Sequence, residues 1–396
     1  MKEKNMTAYE QLQCEINRQI TKYKDEMIAV SDHMADNPEL SGREYETSAG
    51  LVRLLEDHGY KTEKPFCGKE TAFRGVYGSN DHKYKIALLT EYDALPEIGH
   101  ACGHCLSGAI SMLAGLALKD LQDELDADVH IIGTPDEEDD GAKCIMADMG
   151  LFDQYDMAMM VHMYNRNIVM PQFQALGEFF YEFHGKAAHA SAAPWEGKNA
   201  LNGVQLMIHA IDMLRQHTRP DAQFHGVIKD GGAFPNIVPE KAVYHLFIRA
   251  GSKDYMEELI RLTDDCAAGA ALATQTTWER TPKDQTYYVD LRRNAAGEQA
   301  LREVFEELGI EENGPKDLIF GSSDIGNVSY GCPAFHPCLQ IVDDAPVHTR
   351  EFEKAVRSDR AHEAIITGAK LIAFQAAKIF SDENRIRAMK ADFEKK

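Results

Sequence analysis

Residues 85–105 read KIALLTEYDALPEIGHACGHC, and this stretch decides the fold. It opens on the apolar run KIALLT, residues 85–90, which has the length and composition of a buried strand. Carboxylates, histidines and cysteines follow directly, and an apolar helix is predicted over residues 104–121. Ligand sites of open α/β sheets lie beyond the carboxyl ends of their strands. The stretch therefore predicts a site at the rim of an α/β sheet.

The same arrangement recurs at two further predicted strands. The strand VHIIGT, residues 129–134, is followed by the acidic segment PDEEDDG and by a helix over residues 142–149. The strand MAMMVHM, residues 157–163, carries His162 near its end. Alternation of strand and helix is typical of a mainly parallel sheet with helices on both faces. Three successive strands are thus expected to bring cysteine, histidine and carboxylate side chains to one rim.

The pattern changes between residues 172 and 282, where it predicts β-α-β-β-α-β, a small sheet with helices on one face. The expected strands cover residues 176–185, 223–229, 242–250 and 274–280, and the expected helices cover residues 199–217 and 254–273. Elsewhere, helices are predicted over residues 8–34, 42–58 and 358–380. The predicted fold class is therefore α/β, a domain of residues 1–171 and 283–396 with an inserted α+β domain at 172–282.

Composition narrows the classes of function. The chain has 396 residues, 44% of them apolar and 27% charged, which suits a globular protein of two domains. A formal net charge of -22 argues against nucleic-acid binding, which needs clustered Lys and Arg. No run approaches the roughly 20 apolar residues of a membrane helix. The first residues lack the apolar core of a signal peptide, so we expect a cytoplasmic protein without a disulfide framework.

The residues after the strands suit a metal site, and each also has a simpler interpretation. Cys102 and His104 can both bind zinc-like ions, although Cys102 and Cys105 also form a C-x-x-C that could be a redox pair. Adjacent Glu137 and Glu138 could serve as proton acceptor and metal ligand, whereas acidic runs are usually solvated loops.

Three later features are, on their own, weaker evidence for a functional site. His162 alone would more often be a core histidine. The segment GSSDIGN, residues 321–327, is typical of a loop near a ligand, and equally of a simple turn. Ser322 or Ser323 could be proposed as a nucleophile, but the sequence has no G-x-S-x-G motif. His348, in APVHTREF, precedes a predicted helix.

Taken in order, several motifs resemble the M20 metallopeptidase and amidohydrolase family. The likeness is to the branch of aminobenzoyl-glutamate hydrolases, indole-acetyl-amino-acid hydrolases and M20 dipeptidases. It covers nearly the whole chain and includes TEYDALPEIGHACGHCLSG, GTPDEEDDGAK, GKAAHASAAPWEGKNALNG, FPNIVPEKA, GSSDIGNVSYGCPAFHP and PVHTREF. The resemblance implies a catalytic domain with two divalent metal ions, Zn²⁺ or Mn²⁺, and a lid domain that also forms a homodimer.

The resemblance also assigns roles to residues. It implies five metal ligands, with Cys102 as the bridge, and these are Cys102, His104, Glu138, His162 and His348. Glu137 matches the general base, and Asp93 would orient a ligand. His189 matches a histidine that reaches the partner subunit's site, and Asn236 and Arg249 would hold substrate. The sequence departs from the family pattern at two positions. Cys105 stands where many members have Asp or Asn, and Glu91 stands where other branches have a metal-binding His.

The expected function is metal-dependent hydrolysis of an amide bond in a small N-acyl amino acid, an aminoacyl-glutamate conjugate or a dipeptide. Within that class, a dipeptidase or carboxypeptidase of narrow side-chain specificity is an alternative. A homologue that binds metal and ligand without catalysis is a further alternative, because fold alone does not imply activity. The sequence does not choose the substrate or the metal.

Overall fold

The computed structural model describes residues 6–282, 287–314 and 321–395. The chain forms two compact units. The larger unit comprises Met1–Gln172, Leu291–Phe320 and Asp324–Lys396, and the smaller unit comprises Phe173–Asp290 and Gly321–Ser323. The return to the first domain was predicted at residue 283, which lies outside the described residues.

The helices and strands of the described residues are numbered in chain order. The helices are α1 (Ala8–Asp36), α2 (Tyr45–Asp57), α3 (His104–Leu118), α4 (Gln122–Leu125), α5 (Ala142–Asp148), α6 (Ala200–Leu214), α7 (Lys253–Thr274), α8 (Ala295–Glu307), α9 (Ile325–Gly331), α10 (Arg350–Ala355), α11 (Asp359–Phe380) and α12 (Glu383–Phe393). The strands are β1 (Lys61–Glu63), β2 (Phe73–Val76), β3 (Tyr84–Thr90), β4 (Ala127–Gly133), β5 (Met157–Met159), β6 (His162–Tyr164), β7 (Ala175–His184), β8 (Gln223–Asp230), β9 (Lys241–Ala250), β10 (Thr277–Pro282), β11 (Ala334–Phe335) and β12 (Cys338–Gln340). None of these helices alone is long and apolar enough to cross a membrane, although the bent pair α11 and α12 passes that test when taken together.

The main sheet of the larger unit has six strands in the order β1-β2-β4-β3-β5-β11. The pairs β4–β3, β3–β5 and β5–β11 are parallel, and only β1 and β2 run antiparallel to their neighbours. Every residue of β4 is buried, as expected of a strand in a sheet that is covered on both faces. α3 packs on β3 and β4 and is covered by α1 and α11. The predicted α/β class with a mainly parallel sheet is confirmed.

One predicted strand is wrong in its extent. The expected strand over residues 157–163 is two strands, β5 in the main sheet and β6 in a separate two-stranded sheet with β12. The partner segment is interrupted at the same place, between β11 and β12, where Pro337 has no N–H to donate to a ladder. The break turns His162 out of the main sheet while its N–H still donates to the Pro337 carbonyl at 3.0 Å.

The smaller unit has the predicted β-α-β-β-α-β order. Its four strands are antiparallel in the order β10-β7-β9-β8. Buried and partly exposed residues alternate along β7 and β9, as expected of a sheet with one covered face. Phe179, Tyr181 and Phe183 on β7 pack in one core with α6 and α7.

The central position of β3 generates a stability prediction. Leu88 is 0% exposed and lies between β4 and β5, whereas Leu272 on α7 is 84% exposed. Leu88→Ala removes buried apolar volume and is expected to cost about 2–5 kcal/mol of unfolding free energy. Leu272→Ala is the control and should leave stability unchanged. Urea denaturation followed by circular dichroism measures both, and equal midpoints would contradict the assigned core.

Candidate metal centre

The side chain of Cys102 lies at the centre of the residues that follow the strands. Its Sγ is 3.4 Å from His162 Nε2 and 3.4 Å from His348 Nε2. Cys102 precedes α3, His162 begins β6 and His348 precedes α10. Three segments distant in sequence therefore meet at one thiol, all within the larger unit.

The predicted ligands form two groups that share this cysteine. In each group, one ligand atom per residue lies within 4.8 Å of the others. The first group is Cys102, His104 and His162, and the second is Cys102, Glu138 and His348. The structure thus brings all five predicted ligands together. A shared thiolate with separate nitrogen and oxygen donors is a donor set suited to two ions of the zinc type.

Asp93 connects this cluster to the sheet. It follows β3, is 1% exposed, and its Oδ1 lies 2.9 Å from His104 Nδ1. Its Oδ2 accepts hydrogen bonds from the Glu138 N–H at 3.0 Å and from the Ser41 hydroxyl at 2.8 Å. His104 Nδ1 also lies 3.1 Å from the main-chain carbonyl oxygen of Asp93, so Asp93 holds the ring with Nε2 facing the cluster.

The segment after β4 is held in place by buried contacts, so it is not the solvated acidic loop of the alternative interpretation. Asp136 has a left-handed backbone, with φ of 65°, and its carboxylate pairs with Lys69 Nζ at 2.7 Å. The side chains of Glu137 and Glu138 are only 12% and 11% exposed. Both glutamates therefore face the cluster, with Glu137 Oε2 4.0 Å from His104 Nε2.

The buried charges show that the cluster is suited to a cation. His104 Nε2 and Glu91 Oε2 are buried without a hydrogen-bond partner among the described residues, and the two atoms are 3.4 Å apart. An unpaired buried polar atom is costly, and a metal ion would satisfy the histidine nitrogen.

The two glutamates differ in their electrostatic surroundings. Burial, and next the negative charges of Glu138 and Glu91, raise the pKa of the Glu137 carboxyl well above its usual range. Burial also disfavours ionised Glu138, but the hydrogen bond from His348 and the charge of His104 outweigh it and lower its pKa. Glu137 and Glu138 therefore differ in proton affinity although they are adjacent. Such a difference is common where one carboxylate transfers protons and the other stays charged.

Two backbone positions are constrained at the site. Gly103 has φ of 91°, and a Cβ there would lie 2.7 Å from Cβ of Met163, so the Cys-Gly-His spacing needs glycine for both reasons. His348 has φ of 65°, unusual for a histidine, and its N–H donates to the Ala101 carbonyl at 2.9 Å. Such conformations persist where the surrounding structure imposes them, often at functional sites.

Sequence reasoning missed a charged cluster beside the ligands. Lys143, on the first turn of α5, is fully buried with Nζ 2.7 Å from both Glu91 Oε1 and Asp324 Oδ1. One oxygen each of Glu91, Glu137 and Asp324 also lie within 4.8 Å of one another. Lys143 lies in the GTPDEEDDGAK motif and Asp324 in GSSDIGN, but neither motif shows that the two side chains meet.

Two alternative interpretations of the sequence lose support. Cys102 and Cys105 are free cysteines, and Cys105 is buried in the first turn of α3, where burial raises its pKa to about 12. That thiol is therefore a poor redox partner, because reactivity needs the thiolate. Ser322 Oγ accepts a hydrogen bond from Arg249 Nη1 at 3.1 Å, and a guanidinium cannot act as a general base for a nucleophilic serine.

The residues predicted to bind substrate lie in the smaller unit and at two places in it. His189 faces Ile237 in a short antiparallel bridge, in which the Ala190 N–H donates to the Asn236 carbonyl at 3.0 Å, so His189 and Asn236 are neighbours. Arg249 is near the other end of β9, which begins at Lys241. Eight residues of strand place Arg249 about 26 Å from that beginning.

Comparison with known proteins identifies the family. Residues 87–373 match the sequence profile of peptidase family M20/M25/M40. The chain belongs to this family. A Mus musculus Xaa-Arg dipeptidase is 32% identical over 92% of this chain and 88% of its own length. A p-aminobenzoyl-glutamate hydrolase from Escherichia coli (strain K12) is 26% identical over 90% of each chain.

Solved structures agree with the fold of this M20 hydrolase. An aminobenzoyl-glutamate utilization protein from Klebsiella pneumoniae has a TM-score of 0.72 at 16% identity, covering 91% of this chain and 98% of that chain. A dinuclear metal binding peptidase of the M20 family from Bacillus subtilis has a TM-score of 0.68 at 17% identity, covering 90% and 98%. The predicted family and the hydrolase class are confirmed.

Gly103 provides a test of the geometry around Cys102. Gly103→Ala combines a left-handed backbone with a clash against Met163, and it should displace Cys102 and His104. Gly309→Ala is a matched control, because Gly309 has φ of 67° but open space around a Cβ. We expect Gly309→Ala to cost only the backbone strain, about 1–2 kcal/mol, with bound metal unchanged.

The measurement is zinc content after dialysis, with thermal unfolding in parallel. Gly103→Ala should lose bound zinc as well as stability. Full zinc content in a folded Gly103→Ala protein would contradict the importance of this close approach.

Proposed function

We propose that the protein is a metal-dependent hydrolase that cleaves an amide bond in a dipeptide or a small N-acyl amino acid. The observation that supports this most strongly is the pair of ligand groups that share Cys102, with Glu137 and Glu138 beside them. We assign Cys102, His104 and His162 to one ion and Cys102, Glu138 and His348 to the other. The ions would be Zn²⁺ or Mn²⁺, and when bound they supply Lewis acidity for the carbonyl and for the attacking water.

Glu137 is the proposed general base. It accepts a proton from the water as the water oxygen bonds to the carbonyl carbon. It then delivers that proton to the nitrogen as the C–N bond breaks, which yields a carboxylic acid and a free amine. Asp93 fixes the ring of His104, and Glu138 stays charged as a ligand. Glu137 is suited to the proton transfer because it lies beside the two ligand groups that share Cys102 without belonging to either.

His189 is the proposed donor to the developing oxyanion. The N–H groups of Ser191 and Ala192 donate to its Nδ1 at 3.3 and 3.2 Å, which places the ring proton on Nε2. The side chain is exposed and so presents this Nε2–H outward. A donor of fixed tautomer stabilises an oxyanion without rearranging during the reaction.

The positions in the smaller unit favour a role for His189 in the partner subunit. The end of β7 that pairs with Lys241 leads into the segment of His189, and β9 spans about 26 Å from Lys241 to Arg249. A dipeptide spans about 7 Å, which favours separate substrates for the two residues. We infer that Arg249 and His189 serve different active sites, as they would in a homodimer.

The edge strand β8 is the proposed dimer surface. Val227 and Ile228 on it are 55% and 44% exposed, and among the described strands β8 pairs only with β9. An exposed apolar sheet edge invites pairing with another chain. Two copies related by a twofold axis would pair this edge with itself, which is the usual symmetry of homodimers.

The names of the relatives indicate the class of substrate to test. The relatives are named for an Xaa-Arg dipeptide and for p-aminobenzoyl-glutamate, both of which carry an amide bond next to a carboxylate-bearing residue. Asn236 and Arg249 are the proposed groups that hold the substrate, with Arg249 suited to a carboxylate. Dipeptides with a basic carboxyl-terminal residue are the first substrates to test, followed by N-acyl amino acids and aminobenzoyl-glutamate.

The function is tested by release of free amine from this panel, with protein stripped of metal and reloaded with zinc or manganese. We expect hydrolysis of at least one member and its loss on metal removal. Glu137→Gln should keep its metal and lower kcat by about 100- to 10,000-fold. Asp140→Asn, on the same loop but 44% exposed, is the control and should remain active. A nearly fully active Glu137→Gln enzyme would refute the assigned base.

Subunit mixing tests the placement of His189. Glu137→Gln and His189→Ala are each expected to be inactive as homodimers. In a mixed dimer, the His189→Ala subunit keeps its own Glu137 and receives His189 from the partner, so one complete site forms. Unfolding and refolding an equal mixture should restore about a quarter of wild-type activity, because half of the dimers are mixed and each has one site. Activity that stays at the level of the separate variants would contradict a role in trans.

A further inference from the structure

Lys143 is a buried cation that the proposed reaction leaves unused. Its side chain is 0% exposed, and Nζ lies 2.7 Å from Glu91 Oε1 and 2.7 Å from Asp324 Oδ1. Its backbone N–H donates to the other oxygen of Asp324 at 3.1 Å. Glu91 and Asp324 are 1% and 0% exposed. Burying one cation with two carboxylates is expensive unless each charge is paired, so the arrangement is specific.

The cluster lies directly against the proposed metal ligands. The second oxygen of Glu91 is 3.4 Å from His104 Nε2, the atom assigned to a metal ion. Glu137 also belongs to this group, since one oxygen each of Glu91, Glu137 and Asp324 lie within 4.8 Å of one another. A divalent ion held by His104 would therefore have several carboxylates within reach. Hydrolysis requires that one of them, Glu137, remain unligated.

We propose that Lys143 is a positioning residue of this site, whose ammonium holds the carboxylates of Glu91 and Asp324 away from the bound metal ions. This inference rests on the proposed function and deepens it. Glu91 is fixed by Lys143 through Oε1, and Asp324 is fixed through both of its oxygens. With both carboxylates held by Lys143, Glu137 is the carboxylate left to transfer protons, and metal ions bound by the ligand residues would supply Lewis acidity for the water.

The inference predicts a change in coordination when the cation is removed. In Lys143→Met, the buried carboxylates lose their partner, and the cations nearest to Glu91 are the metal ions themselves. Glu91 should then bind metal and raise its coordination number. The visible spectrum of the Co²⁺-loaded protein reports this, because its ligand-field bands weaken as four- or five-coordinate ions become six-coordinate. kcat should fall about 10- to 100-fold, with KM changed far less.

The double variant Lys143→Met/Glu91→Gln identifies the residue responsible. An amide is a much poorer ligand than a carboxylate, so the spectrum should return toward that of the wild type and kcat should recover most of the loss. Lys378→Met is a matched control in the same unit. Lys378 is 8% exposed and contacts Glu303 and Glu307 at 3.4 and 2.5 Å. That variant should lose stability while its spectrum and kcat stay unchanged.

Three results would overturn the proposal. One is a folded Lys143→Met protein with the spectrum and kcat of the wild type. Another is a double variant no closer to wild type than Lys143→Met. The third result comes from Glu91→Gln alone. This variant keeps the ion pair of Lys143 with Asp324, so it can be measured even if Lys143→Met does not fold. Its spectrum should match that of the wild type, and a shifted spectrum would mean that Glu91 is already a ligand. The Co²⁺ spectra test the role of Lys143 even if no substrate of the panel is hydrolysed. Failure of this inference can therefore be told apart from failure of the proposed function.

Discussion

The carboxylate of Asp93 fixes the arrangement on which the rest of the site depends. It lies just past the central strand β3 and is buried. It is 2.9 Å from His104 Nδ1 and accepts hydrogen bonds from the Glu138 N–H and the Ser41 hydroxyl. One side chain thus ties the start of α3 and the acidic loop after β4 to the rim of the sheet. Because these contacts are charged and excluded from water, they position the two segments more firmly than exposed contacts would.

Near Asp93, three glutamates of the larger unit have different surroundings and so different protonation or pairing. Glu138 is kept ionised by His348, Glu137 is driven toward its protonated form by burial and neighbouring charge, and Glu91 is paired with Lys143. The smaller unit carries the groups proposed to contact the substrate at two different places. Catalysis as proposed therefore depends on both the internal placement of charges and the association of two chains.

Part of the site could be predicted from the sequence because Cys102, His104 and Glu138 follow buried strands, whereas the role of His348 rests on the family resemblance alone. The apolar runs at residues 85–90 and 129–134 predict two parallel strands. The carboxyl ends of parallel strands lie at one rim of the sheet, so Cys102, His104 and Glu138 are expected there. The break after Met159 could not be predicted, because it depends on pairing with a segment that is distant in sequence and contains Pro337. The pairing of Lys143 with Asp324 was equally hidden, since a lysine in the first turn of a helix ordinarily faces solvent.

X-ray absorption at the zinc edge of the fully loaded protein tests the central claim, two ions that share the thiolate of Cys102, most directly. We expect a sulfur neighbour at about 2.3 Å for the average zinc, together with nitrogen and oxygen neighbours near 2.0–2.1 Å. We also expect scattering from a second zinc at about 3.5–4 Å. A spectrum with two zinc ions bound but no sulfur neighbour, or with no zinc–zinc scattering, would contradict a cysteine-bridged centre.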